Sequence, residues 1–87
     1  MPAHSTFTTS EGEHVVVGAS AYDTDLLEAI RAASSVSTRT LRLHAVPDLV
    51  NLYRIAEMAE GLGWSPRFSF PGFACADIID MHLGGGL

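Results

Sequence analysis

The chain carries one cysteine, Cys75, within the stretch FPGFACADIIDMHLGGGL that spans residues 70 to 87. A thiol in the first turn of a helix gains nucleophilic character, because the helix dipole favours the thiolate. The same thiol on an apolar arc is small, buried and inert. Both readings are open for Cys75, which is the one candidate catalytic nucleophile of the chain.

A second set of side chains suits an anion or a partner. In GASAYDTD, residues 18 to 25, Ser20 and Thr24 are hydroxyls at or just before a predicted helix start. Unpaired N–H groups and the positive end of the helix dipole favour a phosphate there, bound or attached to Thr24. Asp23 and Asp25 flank it and are themselves preferred capping types, with Glu28 at capping-box spacing from Asp25. Asp48, in VPD, stands at the start of a second predicted helix. Arg42, His44 and Arg67 alternate with apolar neighbours and are expected to point away from the core, as an anion or partner patch on an open sheet face.

Other chemistry is not signalled. Neither glycine-rich phosphate loop, G-x-G-x-x-G or G-x-x-x-x-G-K-[ST], is present. His4, His14, His44 and His82 show no metal-ligand spacing and one cysteine cannot build a zinc site, so no metal and no cofactor are predicted. Asp77 and Asp80 are expected on the wet face of a helix.

The elements that must position these residues follow from apolar periodicity. HVVVGAS is a short strand covered on both faces, as in a parallel sheet. YDTDLLEAIRAASS is a helix with Leu26, Leu27, Ile30 and Ala33 inward. TRTLRLHAV alternates, with Leu41, Leu43 and Ala45 on the core side. PDLVNLYRIAEMAEGLG is a second helix with Leu49, Leu52, Tyr53, Ala56, Ala59 and Leu62 inward, Pro47 near its start, and Gly61 or Gly63 past its end. PRFSF is a strand with Phe68 and Phe70 inward. For residues 74 to 83 the strand reading puts an acid on each face, whereas the helix reading segregates the acids, so a helix is predicted. The expectation is a β-α-β-α-β-α order: a small α/β domain with a three- or four-stranded, mostly parallel sheet. It spans residues 14–83, between a flexible arm, 1–13, and a glycine-rich tail, 84–87. Ligands gather beyond the carboxyl ends of parallel strands, at residues 18–25, 46–48 and 71–75.

Composition limits the partners. The net charge is −5, with five arginines, no lysine and ten acids. That balance disfavours nucleic acid, which needs a basic surface. No stretch reaches the roughly 18 apolar residues of a membrane span. The N-terminus lacks the pattern of a signal peptide, so a cytosolic location is expected.

The stretch from Tyr22 to Gly63 resembles the STAS domain of anti-sigma-factor antagonists and of lipid-transport subunits, and RFSF with ACADIIDMHL resembles that family's last strand and helix. Asp23-Thr24 matches its Asp-Ser/Thr pair, which implies that Thr24 is phosphorylated or touches a partner protein. A second resemblance, to TusA-like sulfur carriers, implies a β-α-β-α-β-β order. Ala21-Tyr22 stands at that family's Cys-Pro, so sulfur transfer would fall to Cys75. The leading expectation is a cytosolic protein-interaction module with Ser20, Asp23, Thr24, Asp25 and Asp48 at its contact surface. The second is a thiol-based carrier, and the third a small-ligand binding module. A homodimer is compatible with an open sheet face or edge.

Overall fold

The computed structural model describes residues 8–9, 14–46, 48–70 and 78–85. The elements are β1 (Thr8–Thr9), β2 (Val15–Gly18), α1 (Asp23–Ala33), β3 (Thr40–His44), α2 (Leu49–Gly61), β4 (Trp64–Ser69) and β5 (Ile78–Gly85). They form a two-layer α/β unit: one mixed sheet, with both helices on a single face. The strand order is β1-β2-β3-β5-β4. It amounts to four main strands and a two-residue β1 at the edge.

β2 and β3 are parallel, joined through α1, with Val15 opposite Leu41 and Val17 opposite Leu43. β5 inserts between β3 and β4 and runs antiparallel to both. β3 and β4 therefore point the same way, and the chain leaves β2, β3 and β4 at one end of the sheet. The expected mostly parallel sheet is corrected to a mixed one in which only the β2–β3 pair is parallel.

The alternation of each strand sorts the two faces. Val15, Val17, Leu41, Leu43, Ile79, Met81 and Leu83 are buried on the helix-covered side, against Leu26, Ala29, Ile30 and Ala33 of α1 and Leu52, Ile55 and Ala59 of α2. Trp64 and Phe68 pack partly against this core, whereas Phe70, expected inward, lies beyond the end of β4 and is exposed. Ala45, expected on the core side of β3, has left the strand with φ of 55° and is exposed.

The largest correction is at the tail. Residues 78–85 form a strand, not the end of a helix, and Gly84 and Gly85 belong to it, opposite Ser65 and Trp64 of β4. The acid that argued against a strand has its counter-ion next door. Asp80 stands opposite Arg42 across the β3–β5 pair. The Arg42 guanidinium donates Nε–H to Oδ1 at 2.8 Å and Nη2–H to Oδ2 at 3.0 Å. A cross-strand partner 38 residues away cannot register in a count of sequence period, which weighs each charge as if it were alone. Gly63, with φ of 96°, makes the left-handed turn that leads from α2 into β4.

Candidate functional site

The ends of β2 and β3 bring the starts of both helices together. Ala19 N–H donates to the His44 carbonyl at 2.9 Å, extending the parallel ladder one residue past β2. Ala21 N–H then donates to the Gly18 carbonyl at 3.1 Å, turning the chain toward α1. Ser20 lies exposed in this turn.

α1 opens differently from the expectation. Tyr22 occupies the N-cap and makes no side-chain cap hydrogen bond, so Asp23, Thr24 and Asp25 are the first three helical residues. Neither Asp23 nor Asp25 caps the helix. Their charges still lie within its first turn, where the dipole favours them. Thr24 is exposed on that turn.

The Asp23 carboxylate is instead bound by Arg54 of α2. The same guanidinium donates Nη2–H to the Ala19 carbonyl at 3.3 Å and to Asn51 Oδ1 at 3.1 Å. Asp48 is the N-cap of α2, and its Oδ1 accepts from the Asn51 backbone N–H at 3.0 Å and from Asn51 Nδ2 at 3.2 Å. A continuous chain of polar contacts thus runs Asp48–Asn51–Arg54–Asp23. It ties the start of α2 to the start of α1, and both to the β2 turn. Asp23 and Asp48, two residues that the sequence puts forward for binding, are the ends of this clasp.

Around it lie side chains that a helix packed on one sheet cannot bury. Val50 is 73% exposed, Tyr53 64%, Leu49 63% and Tyr22 54%. Leu49 and Tyr53 were expected inward, but the buried stripe of α2 is Leu52, Ile55 and Ala59. α2 has two apolar stripes, and only one can face the sheet. That duplication was the signal in the sequence for a second surface. Arg54 and Asn51 gave no such signal, because their partners lie on another element.

The other proposed patch lies on the open face of the sheet. Arg42, His44 and Arg67 all project from it, but β5 separates Arg42 and His44 from Arg67. Arg42 is committed to Asp80, whose carboxyl it holds below its ordinary value of 3.8, chiefly through this hydrogen-bonded pair and against the opposing effect of burial. On the same face His82 Nδ1 lies 3.2 Å from Thr40 Oγ1, and Nε2 lies 2.8 Å from Ser69 Oγ. Thr40 Oγ1–H donates to the Thr38 carbonyl at 3.2 Å. Oγ1 is then placed to accept from Nδ1–H of His82, and in that tautomer Nε2 accepts a hydrogen bond from the Ser69 hydroxyl.

Compared with protein-family models, curated proteins and solved structures, the chain finds no match. Its function is therefore argued from its own surface. Among the described residues there is no cavity and no group of three or more histidines, cysteines or acids placed to hold a metal. No helix is long and apolar enough to cross a membrane. Cys75 lies outside the described residues, between β4 and β5.

Proposed function

We propose that this protein is a small regulatory module of the cytosol that binds a protein partner at the joined helix starts, in the manner of the STAS domains it resembles, and that phosphorylation of Thr24 switches the contact. One observation carries the reading: Tyr22, Leu49, Val50 and Tyr53 stand in water beside the Asp48–Asn51–Arg54–Asp23 clasp. Apolar area left in water forgoes about 25 cal/mol per Å2, and large apolar side chains grouped on a rigid support mark contact surfaces. The clasp supplies that support. Thr24, one residue from Asp23, is open to a kinase, and a phosphate there would add about two negative charges at the edge of the surface.

The test is affinity capture with the wild-type chain, Thr24→Glu, Thr24→Ala and the double variant Val50→Ser with Tyr53→Ser. Thr24→Ala should retain the partner, Thr24→Glu should change its recovery by about tenfold, and the double variant should lose it. Equal capture by the two Thr24 variants would remove the switch. Equal capture by the double variant would remove the surface.

A second reading, thiol-based carriage by Cys75, draws support from the element order. From β2 to β5 the order is β-α-β-α-β-β, the order that the sulfur-carrier resemblance implies. Fold alone does not assign chemistry. Intact-mass measurement after brief treatment of the native chain with a thiol reagent separates the readings: rapid, complete labelling of Cys75 supports carriage, and its absence sinks it.

A further inference from the structure

The outer face of α2 specifies the chemistry of what covers it. Val50, Tyr53, Glu57 and Glu60 recur at helical spacing along that face, and all four are exposed. The face is apolar in its first half and acidic in its second. Neither glutamate is ion-paired among the described residues. Both lie toward the carbonyl end of the helix, where the dipole is negative, and the last turn holds no basic residue. Like charge in the last turn, where Glu60 stands, costs stability, and nothing described in the fold offsets it. A local rule broken without internal compensation is characteristic of a surface reserved for function.

Resting on the partner-binding reading above, we infer that the occupant is a basic amphipathic helix of another protein. Its apolar face covers Leu49, Val50 and Tyr53, and its Lys or Arg side chains lie against Glu57 and Glu60. The same acids repel anionic membranes and nucleic acid, the other common targets of amphipathic or basic surfaces. The occupant's cations would supply what the carbonyl end of α2 lacks. Docking is thus directional: apolar contacts form near Asp48 and ionic ones near Gly61.

The experiment uses the full chain and two synthetic helical peptides with the same leucine face, one otherwise lysine and the other otherwise glutamate. Binding is read by fluorescence anisotropy at physiological salt. The lysine peptide should bind at least about tenfold more tightly than the glutamate peptide. Reversing the acids, Glu57→Lys with Glu60→Lys, should exchange the two affinities. Val50→Asp adds an acid but removes apolar surface, so a purely electrostatic attraction would strengthen while docking on this face weakens about tenfold. Lysine-peptide binding that is unchanged or tighter in Val50→Asp overturns the docking surface itself. Weaker binding in Val50→Asp without exchange of preference in the charge-reversed variant overturns only the basic character of the occupant. Failure of the lysine peptide to bind overturns the inference outright.

Discussion

Asp80 both pairs β5 with β3 and titrates. Its carboxyl is held below 3.8 mainly by the two charge-assisted hydrogen bonds from Arg42. A carboxyl with a lowered folded-state value binds protons more readily in the unfolded chain. Its contribution is therefore complete above about pH 4 and disappears as pH falls through the lowered value. Asp80→Asn should cost about 1–2 kcal/mol at pH 7, the scale of a partly exposed charge-assisted pair. Urea midpoints should show a gap between wild type and variant at pH 7 that narrows below pH 3.8. A gap that does not change with pH would mean that the pair contributes shape and not charge. Residue identities in the sequence name Arg42 and Asp80 separately, one in an outward anion or partner patch and the other as a wet helix acid. Only their pairing explains both.

At the scale of elements, the helices and the first strands were legible because each has a local signature. β3 alternates, α1 and α2 have apolar stripes, and Gly63 follows the end of the second helix. β5 was not legible: Asp80 opposes alternation until Arg42 of the neighbouring strand is in place. Leu49 and Tyr53 fall outside the buried stripe of α2, while Leu52 and Ala59 lie in it, since periodicity finds apolar stripes without saying which one the sheet covers. The candidate site was readable in part: Asp23, Thr24 and Asp48 were named, but Arg54, which joins the helices, was not. Where an element ends, backbone conformation leaves a testable trace. Ala45 closes β3 with φ of 55°, a left-handed position that costs an L residue about 1–2 kcal/mol. Glycine removes that cost but loses about 0.5–1 kcal/mol through its freer unfolded chain. Ala45→Gly should therefore be slightly stabilising, raising Tm by about 2–4 °C in a domain of this size. A fall in Tm would show that the Ala45 side chain makes a contact worth more than the strain.

The described residues share one core, and this puts the proposed docking surface within reach of a stability test. Leu43 is fully buried in β3, flanked by β2 and β5 and roofed by the helices. A domain of this length commands only about 4–13 kcal/mol of stability, and Leu→Ala at such a site typically costs about 2–5 kcal/mol. Leu43→Ala should thus lower the urea midpoint sharply while leaving the slope unchanged, with fluorescence and circular dichroism transitions still coincident. Val50 and Tyr53 are comparably apolar but lie outside that core. Their change to serine should move stability by no more than about 0.5 kcal/mol, the range of surface substitutions. The comparison separates two roles for an apolar side chain, holding the fold together and waiting for a partner. If the serine variants shifted the midpoint as far as Leu43→Ala, the stripe formed by Leu49, Val50 and Tyr53 would belong to the fold's own packing, and the partner-binding reading would lose its support. A midpoint that stays near wild type while capture is lost would assign the stripe to the partner.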